Sequence, residues 1–165
     1  ESKSWLGSGS SFSVLVEIGK ENSSDNKLEN ITNIMDLSGV KVLLVEDDID
    51  VLKSTKQLLE SWGCIVSSGR DQEEIKNVIG SDGYLLPDII VADNRLPGDA
   101  SGIDVVKLVQ KDLESLIPSV IVTGDVERSH VQSITDQGFP VLLKPIQPAK
   151  FRAILSHLIH SKLTI

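Results

Sequence analysis

The chain is 165 residues long, 40% apolar and formally charged to -8, which is material for one domain of ordinary size with a buried core and some excess at an end. An acidic balance without any run of Lys and Arg excludes a general nucleic-acid binder, whose phosphate contacts need clustered cations. Cys64, the single cysteine, excludes an internal disulfide and a cysteine-built zinc site, and no apolar run approaches the roughly 18 to 20 residues that span a bilayer.

The opening ESKSWLGSGSS is not a secretory signal, so the expectation is a soluble, cytoplasmic module without membrane contact of its own, in which Cys64 is a passive buried thiol. Glu1 in place of Met points to a piece cut from something longer. Over residues 1–18 a Gly/Ser turn, LGSGSS, precedes the apolar stretch SFSVLVEI, which reads as one strand with nothing beside it to pair with. Residues 19–38 are polar, with weak helical spacing at Leu28, Ile31, Ile34 and Met35, and read as a linker. The domain proper is expected over 39–163.

From there a βα rhythm repeats. VKVLLV is a continuous apolar run of the kind that both-face-buried parallel strands show, and DIDVLKSTKQLLESWG follows with helical spacing of Val51, Leu52, Thr55, Leu58, Leu59 and Trp62. CIVSS is a second strand and RDQEEIKNVIG a second helix; Pro87 introduces the third strand, DIIVA, which ends at Asp93. GIDVVKLVQKDL, SVIVTG, DVERSHVQSITDQG, PVLLK and AKFRAILSHLIHSKL continue as helix, strand, helix, strand and helix. Such alternation predicts an α/β fold, a doubly wound parallel sheet covered on both faces with right-handed crossovers. Its site should lie at the carboxyl ends of the strands.

There the sequence places Glu46, Asp47 and Asp48 after the first strand, Asp93 after the third, Thr123 after the fourth and Lys144 after the fifth. Carboxylates so crowded must protonate or share a cation, and a hard divalent ion suits oxygen ligands; Mg²⁺ is expected, or Mn²⁺ in its place. Transfer of a phosphoryl group onto a carboxylate needs an in-line nucleophile, a metal and positioned donors. Asp93, at the mouth of a central strand, is the best nucleophile and Asp47 the better metal ligand, with Thr123 and Lys144 as donors. Gly124 leaves room beside them. Asp48 and Asp50 read instead as helix N-terminal acids, Asp48 as the N-cap.

These motifs, VLLVEDD, PDIIVADNRLPG, IVTG and LLKP, in order and at family-like separations, resemble the receiver domains of two-component response regulators over about Val40 to Leu163. The resemblance implies a flavodoxin-like sheet in the order 2-1-3-4-5. It makes Asp93, four residues before Pro97, the phosphoacceptor in place of Asp88. It implies that Asp47, Asp93 and the backbone carbonyl of Arg95 hold the metal, with Glu46 acting through water, that Thr123 is the switch hydroxyl and Lys144 the phosphate-binding lysine, and that Lys144–Pro145 is cis. The partner implied is a histidine kinase or a histidine phosphotransfer domain, and a weak homodimer is left open. Val141 departs from the pattern, which often has an aromatic switch there; Arg95 and Asp125 occupy positions that tune acyl-phosphate lifetime. LGSGSSFSVLVEI resembles the end of the ATP-binding domain of sensor histidine kinases, which would make residues 1–18 a remnant of that domain and the whole the C-terminal receiver of a hybrid kinase. Such a fragment would catalyse only its own phosphorylation and dephosphorylation.

Two competing functions use the same residues. A metal-dependent phosphohydrolase could draw on the aspartates at 48 and 50, although they lie beyond the strand end. A receiver-like module that no longer accepts phosphate is kept open by Val141. A dinucleotide-binding fold is poor, since no glycine-rich turn follows the first strand. His130, His157 and His160 read as ordinary helix side chains, and Trp5 and Trp62 as packing.

Overall fold

The structure, a computed structural model, describes residues 36–98 and 100–161, and the backbone of two short strands nearer the N terminus. The chain divides into two units, residues 1–30 and 31–165. In the first, β1 (Ser2–Trp5) pairs antiparallel with β2 (Gly9–Phe12), Ser2 opposite Phe12. The strand expected to stand alone over SFSVLVEI therefore begins in a paired strand; its continuation from residue 13, and the linker to residue 35, lie outside the described residues.

The second unit runs β3 (Lys41–Val45), α1 (Ile49–Ser61), β4 (Ile65–Gly69), α2 (Gln72–Ile79), β5 (Ile89–Asp93), α3 (Gly102–Asp112), β6 (Ser119–Thr123), α4 (Arg128–Asp136), β7 (Val141–Leu143) and α5 (Pro148–Ser161). All five strands are parallel, in the order β4-β3-β5-β6-β7. Counted within the unit this is 2-1-3-4-5, the flavodoxin-like order the motifs implied.

Alternation along the central strands builds two cores, one on each face of the sheet. Val42, Leu44, Ile89, Val91, Val120 and Val122 pack with Leu59 of α1 and with Phe151 and Leu155 of α5. Leu43, Val45, Ile90, Ala92 and Ile121 pack with Ile75 of α2, with α3 and with Ile134 of α4. Both faces being covered is why β3, β5 and β6 read as unbroken apolar runs. Leu37, which the sequence assigns to the linker, is fully buried in the first core. Trp62 meets Phe151 edge-on at 5.8 Å, a packing role as expected. Cys64 is buried, and burial pushes its thiol up to about 11, which makes it inert at neutral pH.

Helix α1 starts where Asp48 accepts hydrogen bonds from the amides of Asp50 and Val51. Helix α3 starts on a capping box between Ser101 and Asp104. The fourth helix begins at Arg128, three residues later than the sequence suggests. The amide of Asp125 donates to Thr123 Oγ1 at 3.1 Å and that of Glu127 to Asp125 Oδ1 at 2.9 Å. These local side-chain bonds satisfy amides that a helix would otherwise use. The Lys144–Pro145 bond is cis. Among the described residues no helix is long and apolar enough to cross a membrane.

Candidate active site

Four neighbouring strand ends, those of β3, β5, β6 and β7, carry the polar residues, and backbone bonds that continue the ladder fix where they stand. The amide of Glu46 donates to Gly69 O at 3.2 Å, that of Asn94 to Val122 O at 2.7 Å and that of Lys144 to Thr123 O at 2.8 Å. Lys144 then reaches across the sheet: its Nζ donates to Glu46 Oε2 and to Asp93 Oδ2, both at 2.8 Å. Residues 98 and 51 positions apart in the chain thus share one ammonium. Glu46 is 4% exposed and Asp93 7%, so these ion pairs are shielded from bulk water.

The acidic triplet divides. Carboxylate oxygens of Glu46, Asp47 and Asp93 lie within 4.8 Å of one another, whereas Asp48 turns to cap α1. Asp47 is exposed and Glu46 buried. Asp88 belongs to the opposite end of the sheet, where its carboxylate accepts from Lys41 N at 2.9 Å; it pins the start of β5, about 16 Å of strand from Asp93. Thr123 is fully buried. Arg95 is exposed, its amide 3.5 Å from Asp93 Oδ1 and its guanidinium 3.6 Å from Asp125 Oδ2. A Cβ on Gly124 would meet nothing within 4 Å.

Glu46 is the strained member of the group. Burial holds its carboxyl above the usual range; the hydrogen bond from Lys144 works the other way, and the charge of Asp93 adds to the rise. For Lys144 burial pulls downward, but bonds to Asp93 and then Glu46 outweigh it and the ammonium is raised. The two directions agree because the carboxylate is the more deeply buried partner. Glu46 Oε1 is also buried without a hydrogen-bond partner.

A pH dependence follows from Glu46. A carboxyl with a raised folded-state value contributes stability that is fully present below its ordinary 4.5 and is lost as pH rises through the folded value. In metal-free buffer Glu46→Gln removes that loss. Wild type should therefore fall progressively behind Glu46→Gln as pH climbs from about 4 to 7, read as urea midpoints; a gap independent of pH would contradict it.

Gly102 and Asn94 in the pocket's surroundings escaped sequence reading, and His130, expected to be an ordinary helix side chain, is half-buried against Asn94. An alanine Cβ at Gly102 would lie 2.2 Å from the carbonyl oxygen of Asp93. Nδ2 of Asn94 lies 2.8 Å from Nε2 of His130. Only tertiary contacts carry these facts. His157 is exposed and His160 donates to Ser156 O at 2.8 Å, in keeping with ordinary helix side chains.

Residues 42–156 match the sequence pattern of the response regulator receiver domain family. The phyllosphere-induced regulator PhyR of Methylorubrum extorquens is 26% identical over 117 residues, covering 70% of this chain and 42% of its own length. Response regulator protein PilR of Pseudomonas aeruginosa is 23% identical over 121 residues, 73% of this chain and 26% of its own. The chain thus spans less than half the length of these curated relatives. A response regulator receiver domain protein from Clostridium thermocellum superposes with a TM-score of 0.64 at 21% identity, over 75% of this chain and 97% of its own. A CheY-like receiver domain protein from Methanospirillum hungatei gives 0.63 at 22%, over 76% and 98%. At those identities the structures speak for the fold alone.

Proposed function

Because the chain belongs to the response regulator receiver domain family, we propose that Asp93 accepts a phosphoryl group from a phosphohistidine, assisted by a divalent metal, and that the charged pocket shifts the domain's conformation. The observation that carries this reading is Lys144 bridging Glu46 and Asp93, which puts an ammonium group beside the nucleophile. A carboxylate oxygen of Asp93 attacks phosphorus, the new O–P bond forming as the P–N bond to the donor imidazole breaks. The electron pair of that bond stays on the imidazole nitrogen. Lys144 and the Thr123 hydroxyl would each move to donate to the transferred group's oxygens.

The residues present fit a hard cation: three carboxylates in reach of one another, and an oxygen of Glu46 that is buried with nothing to bond. Glu46, Asp47, Asp93 and the backbone carbonyl of Arg95 would hold it. Mg²⁺ so bound would neutralise charge on the phosphoryl oxygens. A groove of about 400 Å³, lined by Val51, Ser54, Thr55 and Leu58 of α1 and by Lys144, Pro145 and Ile146, opens beside the lysine. It suits a helix of the phosphodonor, a histidine kinase or histidine phosphotransfer domain. Residues 1–18 we read as the end of a kinase ATP-binding domain, and the polar residues from 19 on as a linker to a receiver that takes in Leu37 and runs to 163.

Intact-mass analysis after incubation with Mg²⁺ and acetyl phosphate tests the reading. One phosphoryl adduct that chelation abolishes is expected, with beryllofluoride binding as the check where hydrolysis is fast. Silence in both would shift the reading to a phosphate-independent module. Mg²⁺ alone should raise stability by about 2.7 kcal/mol at a hundred times its dissociation constant, seen as a higher melting temperature; an unchanged melt would remove the metal from the pocket.

A further inference from the structure

Asn94 directly follows Asp93, is 9% exposed, and has both backbone groups committed. Its N–H donates to Val122 O at 2.7 Å and its carbonyl accepts from Gly102 N at 3.2 Å. The carboxamide alone reaches outward, to half-buried His130 on α4. As it is placed, Nδ2 donates and Nε2 of His130 accepts, which calls for a neutral imidazole protonated at Nδ1.

The helix at the far end of this bond is lightly held. Ile134 is its buried residue, Glu127 provides no side-chain cap, and Val126 just before it is 73% exposed. α3, by contrast, buries Gly102, Ile103, Val105, Val106 and Val109 and has a capping box. A polar tie to the end of β5 is therefore a large share of what fixes the first turn of α4, and Val141 supplies no ring that could do so instead.

We propose that His130 is a positioning residue which, through Asn94, couples phosphorylation of Asp93 to the placement of the first turn of α4. This rests on the reading of Asp93 as the phosphoacceptor. Phosphorylation of Asp93 displaces the peptide it shares with Asn94, and the carboxamide passes that displacement to the helix. Uptake at Asp93 proceeds from the arrangement in which this tie is open, so loosening the helix end raises the fraction of molecules competent for it. The tie is present in the resting arrangement, and breaking it favours departure from that arrangement.

A double-mutant cycle on the full chain tests this, with His130→Ala, Asn94→Ala, the pair together, and His130→Gln, whose side-chain carbonyl can stand in for Nε2. The readouts are the rate of phosphoryl uptake from acetyl phosphate with Mg²⁺ and hydrogen exchange of the first-turn amides of α4 before and after phosphorylation. Each alanine variant should gain about fivefold in rate, the effect of one neutral hydrogen bond, with no further gain in the double. His130→Gln should match wild type, and the exchange response of α4 should be largely lost in His130→Ala. Additive effects in the double, or an intact exchange response in His130→Ala, overturn the coupling while the uptake by wild type leaves the phosphoacceptor reading standing. Wild type inert to both acetyl phosphate and beryllofluoride sinks that reading, and the coupling with it.

Discussion

Asp93→Asn should take up no phosphoryl group at any donor concentration, and yet be at least as stable as wild type in metal-free buffer. The first half follows from chemistry, since a carboxamide oxygen is no nucleophile at neutral pH. The second follows from the pocket's electrostatics. Asp93 is one of the groups that hold Glu46 above its usual range, so its removal lets Glu46 ionise more readily while Lys144 keeps one partner. The volume is unchanged and no cavity opens. Intact mass and urea midpoints measured on the same sample decide both halves. An adduct in the variant would mean a second acceptor among the neighbouring aspartates; a midpoint well below wild type would mean that Asp93 is chiefly a structural partner of Lys144.

Gly102→Ala is expected to cost about 3 kcal/mol of stability by overpacking, although a glycine-to-alanine change at a helix start ordinarily stabilises slightly. The reversal has a definite cause. The new methyl would lie 2.2 Å from the carbonyl oxygen of Asp93 and 2.9 Å from its carbonyl carbon, and neither atom can rotate away. Either α3 withdraws, pulling Ile103, Val105, Val106 and Val109 out of the second core, or the end of β5 bends. Both move Asp93, and a displacement near 1 Å is enough to lower uptake about a hundredfold. Gly124→Ala is the matched control: a Cβ there meets nothing within 4 Å, so its stability should be that of wild type. Equal denaturation midpoints for Gly102→Ala and wild type would show that the turn before α3 can yield.

What could be read from the sequence was whatever follows from position along a strand or helix. The end of β5 at Asp93 and the split between Asp47 facing the pocket and Asp48 capping α1 come from the pattern of strands and the needs of a helix N-terminus, whereas setting Asp88 aside rested on the family resemblance. The start of α4 was misjudged because Asp125 looks like a first-turn acid, while in the fold its carboxylate and the Thr123 hydroxyl bond to amides of a non-helical loop. Leu37 was assigned to a linker because its neighbours are polar, yet it fills a core position. Gly102 and Asn94 escaped, and His130 passed for an ordinary helix side chain, because each matters through a residue distant from it in the chain, and no local periodicity encodes such a meeting. Val141 remains as the sequence had it, a small side chain, half-buried, where a ring would have served a different switch.

Lys144 also decides what the domain is between events. Three bare carboxylates held together would have to take up protons or a cation to fold. Here an ammonium tied to two of the three acts as a resident counter-ion, leaving two net negative charges, the number one divalent ion would cancel. A domain so furnished can stand folded and metal-free. Arrival of the metal would then arm the pocket without having to build it, and the free divalent-cation level would set readiness while only adding stability to a fold already formed.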